Sequence, residues 1–187
     1  EPDPSEATIP QTTGRCPWCG TDPLYVHYHD TVWGRPEYDD QALFEKLCLD
    51  GQQAGLSWIT ILRKQESYRQ AYAGFDPEQI VRFDEDDIAR LLADPGIIRN
   101  RLKVHSIIRN ARGFLALRDQ GISFSEFLWQ FVDGRPIQNR WQALAASVVT
   151  VPVEFKLGYC FPGYHPVNTD GGRVTCLRMV AASVKHQ

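Results

Sequence analysis

The stretch LDGQQAGLSW, residues 49–58, sets one carboxylate, Asp50, among two glutamines and two glycines and ends on an indole, Trp58. Upstream, RCPWCGTDPLYVHYHDTVWG (residues 15–34) concentrates Trp18, Tyr25, Tyr28 and Trp33. An acid beside aromatic faces suits a flat cation, because the rings attract positive charge while the carboxylate accepts N–H bonds and balances it. In such a pocket Gly51 and Gly55 let backbone approach where a side chain would block. Trp58, on the first turn after Ser57, would form a wall. The same residue types also suit an ordinary aromatic core and a solvated acid at a helix end.

The aromatic stretch carries a second chemistry. Cys16, Cys19, His27 and His29 are thiol and imidazole groups, the ligands tetrahedral Zn²⁺ prefers, and a zinc ion can staple a loop-rich terminus. Their C-x2-C-x7-H-x-H spacing is not that of a standard finger, and His27 and His29 would point opposite ways on an extended chain. Two of the four, with partners from elsewhere, make a better set than all four together. A redox-inert CxxC beside surface histidines is the alternative.

A third constellation lies over residues 84–118, where a helical pattern, the turn ADPGII and a basic helix follow one another. Between 97 and 118 there are six Lys or Arg and no acid. A turn of this kind, with Gly96 in its DPG, can offer backbone N–H groups to a nucleic-acid phosphate, and the cations after it can neutralise neighbouring phosphates. A merely solvated helix face is the competing reading.

Five helices are expected to position these groups, from apolar residues recurring at three- and four-residue spacing. The first spans roughly Asp39 to Asp50, capped by Asp39 or Asp40, with Gly51 as a positive-φ C-terminal cap. The second runs from a Ser57 cap to Gly74, and the third from an Asp84 cap through Leu92. The fourth, about Asn100 to Leu117, buries Val104, Ile107, Ile108 and Ala111 and keeps Arg101, His105, Arg109 and Arg112 on a separate stripe. The fifth starts at Ser123 or Ser125 and ends at DGRP.

Composition sets the wider frame. At 187 residues, 43% hydrophobic and 23% charged, the chain reads as one globular domain with a real core, and no apolar run approaches the ~18 residues of a membrane span. Residues 1–14 are Pro-, Thr- and acid-rich and are expected to be a flexible tail, neither signal nor transit peptide. Glu1, Asp3 and Glu6 lie there, so the net charge of -3 becomes 0 without it. Five cysteines, an odd number, argue against a disulfide framework and for a reducing, cytoplasmic setting. After about Trp141, Pro and Gly punctuation and β-branched runs replace the helical period.

The words RCPW, DPLYVHYHDTVWG, LDGQQAGLSWITIL, FDPEQI, GIIRNRLKVHSIIRNAR and FLWQFV, in this order, resemble the 3-methyladenine DNA glycosylase I family of helix-hairpin-helix base-repair enzymes over about residues 14–140. The resemblance implies a mainly α fold, a helix-hairpin-helix glycosylase-like bundle, with residues 15–140 as the helical domain and 141–187 as a divergent segment of unassigned fold. It implies that a damaged nucleotide is flipped out of double-stranded alkylated DNA and its glycosidic bond hydrolysed without a catalytic cofactor.

Residue by residue, Asp50 stands where the family usually has a base-contacting Glu, and Tyr25, Tyr28 and Trp58 match its aromatic pocket. Gly55 and Leu56 match the loop near the gap left by flipping. Gly96, Arg99, Arg101 and Lys103 match the hairpin that holds the DNA backbone. Cys16 and His29 match half of a structural zinc site whose second half has no counterpart here: His165, Cys160 and Cys176 are present at other spacings. The missing methylene at Asp50 shortens the acid's reach by roughly 1.5 Å. The expected protein is a monomer without membrane contact. A helix-hairpin-helix module that binds DNA without turnover shares most of these features, whereas resemblance to a lyase of the endonuclease type fails because no lysine or aspartate occupies that group's usual place after the hairpin and no four-cysteine cluster exists for iron and sulfur.

Overall fold

The computed structural model describes residues 15–134. Within them the chain forms eight α-helices and short 3-10 turns: α1 Pro23–Thr31, α2 Asp40–Gln52, α3 Trp58–Leu62, α4 Gln65–Ala71, α5 Pro77–Ile80, α6 Glu85–Ala93, α7 Arg101–Asp119 and α8 Phe124–Trp129. The expectations for residues 1–14 and for 141–187 lie outside the described residues.

The helix starts follow from side-chain chemistry. Asp22, Asp39, Asp76, Asp84, Asn100 and Ser123 each accept backbone N–H bonds from the first turn of the helix they precede, satisfying donors that have no intrahelical partner. Asp84 with Asp87, and Ser123 with Glu126, do so reciprocally. Pro23 and Pro77 occupy the first helical position, where a missing N–H is harmless.

α7 is the hub. Val104, Ile107, Ile108 and Ala111 recur on one buried stripe, against which α2, α5, α6 and α8 pack. Phe44 of α2, Tyr68 of α4, Tyr72, Phe75, Ile80 and Leu91 complete the core. Burying this aromatic and aliphatic surface drives the bundle's assembly.

Several local expectations need correction. Gly51 lies inside α2 and does not cap it; the helix runs to Gln52, and the positive φ belongs to Gly55, at 77°, in the loop that follows. The long second helix divides at Arg63 and Lys64 into α3 and α4, so that Trp58 and Tyr68 sit on separate segments. Ser57 precedes α3 without capping it, its hydroxyl instead meeting that of Thr60. Residues 23–31, which the five expected helices leave out, are also helical: Asp22 and Pro23 start a helix whose Tyr- and His-rich composition hides any amphipathic stripe.

Candidate active site

Asp50 sits in the last turn of α2 and is buried, with 5% of its surface exposed. Lys46, one turn earlier on the same helix, donates to both carboxylate oxygens at 2.5 Å. The same ammonium lies 4.5 Å from the ring centroid of Trp58, a cation-π contact. Burial pushes the Asp50 carboxyl above its usual range, and the charge and hydrogen bonds of Lys46 work against that shift.

Tyr28 of α1 packs against Trp58. Its ring centroid is 5.6 Å from that of Trp58, and its phenol is held well above its ordinary pKa first by burial and then by the negative charge of Asp50. Tyr25 and Trp18 continue the aromatic cluster, with Trp18 edge-on to Tyr25 at 4.9 Å. The indole N–H of Trp58 is buried, and its interaction with the Tyr28 hydroxyl works against the rise in that phenol's pKa. α1 is set in place by Asp22, which caps it and pairs with Arg63 at 2.6 Å.

Carboxylate, indole and phenol thus converge as expected, with a cation already between acid and ring. The sequence reading missed that cation, although a lysine four residues before an acid on one helix is the signal for such a pair. It also missed Gln52 and Tyr68. The buried Gln52 side chain donates to the carbonyl of Lys103 at 3.3 Å and accepts from the Tyr68 hydroxyl at 3.2 Å. That hydroxyl in turn accepts the N–H of Ile98 at 3.0 Å, and burial raises its pKa to about 12.

Gly55 and Leu56 lie in the loop that follows α2. The left-handed backbone at Gly55 is one that side chains disfavour, and Leu56, two residues before Trp58, stands 39% exposed.

The turn between α6 and α7 is packed onto α4. A Cβ on Gly96 would stand 2.9 Å from the side chain of Ser67 and 2.9 Å from Asp94 Oδ1, so only glycine fits without a shift. Arg99 and Arg101 are exposed. Lys103 points inward, its ammonium donating to the carbonyls of Gln52 at 2.7 Å and Ala54 at 2.8 Å.

The acid-free run of the sequence is not acid-free in space. Arg101 lies 3.8 Å from Glu85 and Arg118 lies 2.6 Å from Glu78, whereas Arg99, Arg109 and Arg112 form no ion pair among the described residues.

His29 is buried, and its Nε2 accepts the backbone N–H of Cys16 at 3.2 Å. Its Nδ1 lies 2.9 Å from Asp30, whose pKa is lowered mainly by Arg15 and then by His29. Imidazole and thiol are donors of the zinc type and the carboxylate orients the ring, but the Nε2 lone pair is taken here by the Cys16 amide. No group of three or more metal-binding side chains converges among the described residues.

Comparison with known proteins adds three findings. The family model described as Methyladenine glycosylase matches residues 18–157. A DNA-3-methyladenine glycosylase of Haemophilus influenzae is 51% identical over 127 residues, spanning 68% of this chain and 69% of that relative. Two solved structures superpose with similar quality. A crystal structure of 3-methyladenine DNA glycosylase I has 51% identity and a TM-score of 0.71, covering 73% of this chain and 74% of its own. A tyrosine-to-phenylalanine variant of 3-methyladenine DNA glycosylase I in complex with 3-methyladenine has 40% identity and a TM-score of 0.69, with 73% of each chain covered.

Proposed function

This chain belongs to the methyladenine glycosylase family, and from that premise we propose that it is a monofunctional DNA glycosylase releasing 3-methyladenine from alkylated duplex DNA, with Asp50 as its base-recognition acid. The chemistry of the lesion supports this. Methylation at N3 gives the attached purine a positive charge, so the glycosidic bond already has a good leaving group and the enzyme need not protonate it. What is required is a site that prefers the charged base. A buried carboxylate beside aromatic faces supplies that preference, because ionic and cation-π attraction both strengthen away from water.

The observation that carries this reading is the position of the Lys46 ammonium. It touches both oxygens of Asp50 and the face of Trp58 at once, so the pocket accommodates a cation in the place the base would take. The Tyr28 ring packs against that of Trp58 beside the acid, and Tyr25 extends the aromatic cluster. On this reading the target nucleotide is flipped into the pocket, Leu56 stands at the gap it leaves, and water adds at C1′ as the base departs with the bond's electron pair.

The unit of α6, turn and α7 is read as a helix-hairpin-helix, with Gly96 allowing its tight packing and Arg99 and Arg101 facing phosphate. Lys103 supports the loop carrying the pocket instead of touching DNA. Cys16 and His29 are assigned to a structural zinc site that would fasten the start of the domain beside α1; its remaining ligands would lie beyond residue 134. A monomer in the cytoplasm completes the reading, and the absence of a disulfide at Cys16, Cys19 and Cys48 among the described residues is what a reducing compartment would give.

The test is release of 3-methyladenine from methylated duplex DNA by the protein and by Asp50→Ala. Release is expected from the first and not the second, with duplex binding kept in both. Duplex binding without release by the unaltered protein would instead make it a DNA-binding module.

A further inference from the structure

Lys46 has no place in the reaction described so far, yet it fills the site. Its ammonium holds both positions a cationic purine needs: the two oxygens of Asp50, at 2.5 Å each, and the ring face of Trp58, at 4.5 Å. A positively charged base cannot share that space with the ammonium. One of the two cations must leave.

The geometry says which can move. The Lys46 side chain is 33% exposed, on a flexible aliphatic stem, and can carry its charge into water by rotation alone. Asp50, only 3% exposed at its side chain, cannot follow. Any molecule entering the pocket therefore strips a buried carboxylate of its counter-ion. A base bearing positive charge restores the pairing, while a neutral base leaves the acid buried and unpaired, an unfavourable state.

We infer that Lys46 is a specificity-determining residue, a resident counter-ion that the alkylated base displaces from Asp50 and Trp58 and that retakes the pocket once the base has been cut free. The second half follows from electron accounting. When the C1′–N9 bond breaks, its electron pair stays on N9 and cancels the positive charge of the purine; water oxygen bonds to C1′ and its proton passes to solvent. The product in the pocket is then neutral and no longer balances Asp50, whereas the ammonium waiting in solvent does. Cleavage itself removes the base's advantage, so the return of Lys46 drives product out. This inference rests on the glycosylase reading above and adds to it a residue and a step.

The experiment uses the unaltered full chain with 3,9-dimethyladeninium, whose positive charge is fixed and whose 9-methyl group stands for the sugar carbon. Occupancy is followed by tryptophan fluorescence, and acetylation of Lys46 by acetic anhydride is measured by mass spectrometry of its peptide. Saturation is expected to speed Lys46 acetylation at least fivefold. Lys46→Met, which has no pair to break, is expected to bind neutral 3-methyladenine at least fivefold more tightly and to show correspondingly stronger product inhibition.

Should Lys46 be unchanged or protected while the site is saturated, the displacement is refuted and the glycosylase reading stands. Unaltered product affinity in a folded Lys46→Met protein refutes the expulsion step. If the variant does not fold, acetylation of the unaltered chain decides. Absence of any binding by the charged base overturns both this inference and the pocket on which it rests.

Discussion

Lys103→Met separates two roles that one cation on the first turn of α7 could have. In the structure its ammonium bonds the carbonyls of Gln52 and Ala54, the end of α2 and the start of the loop that follows Asp50. Methionine keeps the stem and removes both bonds. A hydrogen bond from a charged group contributes about 1.5–3 kcal/mol. Ala54 and Lys103 are only partly buried, so water recovers some of that loss and about 2–3 kcal/mol in total is expected. For a chain of this size each kcal/mol moves the melting temperature by about 2–4 °C, giving a fall of roughly 4–12 °C. Release of 3-methyladenine should fall with it, because the loop holding the pocket loses its anchor.

Duplex binding across a salt series provides the contrast. Each phosphate neutralised contributes a slope of about 0.9 in log affinity against log salt. Lys103→Met should leave that slope unchanged, whereas Arg99→Ala should reduce it by about 0.9 with little change in melting temperature. A slope lowered by Lys103→Met, with stability intact, would show that the ammonium reaches phosphate and refute the inward role.

Other perturbations test the remaining parts. Burial raises the pKa of Asp50, so folding favours its protonated form: the stability this group contributes is present below its ordinary value and is lost as pH rises through the raised one. Asp50→Asn should therefore unfold at higher denaturant than the unaltered protein at pH 7.5, with the gap closing toward pH 4; a less stable variant at pH 7.5 contradicts this. Gly96→Ala brings a Cβ within 2.9 Å of the Ser67 side chain and should destabilise the fold by about 1–3 kcal/mol in denaturant titration. Purified protein should carry one zinc by metal analysis and lose it in Cys16→Ser; equal zinc in both would remove Cys16 from the site.

The elements with strong local chemistry were legible from residue types alone. Asp84 with Asp87, the Asn100 cap and Ser123 with Glu126 mark the starts of α6, α7 and α8, and the Val104–Ala111 stripe marks the face of α7 that must be buried. α1 was missed because its tyrosines and histidines face a pocket and a metal-type cluster instead of a core, which removes the periodic stripe on which helix recognition rests. The break between α3 and α4 carries no proline or glycine to announce it.

In the site, the acid and its aromatic walls could be named from LDGQQAGLSW and DPLYVHYH, but the direction of a long side chain could not. Lys103 turns toward carbonyls about fifty residues away in sequence, and Glu78 and Glu85 reach arginines of α7 from other helices. These relations arise from packing and leave no trace in local spacing.

The run of contacts from the Ile98 amide through the Tyr68 phenol and Gln52 to Lys103 ties the end of α2, which carries Asp50, to the turn before α7 and to its first turn. A tilt of either end would strain these bonds. On the proposed reading, most of the distortion needed to bring a nucleotide to Asp50 would then fall to the duplex, and a base that already stacks poorly would yield most readily.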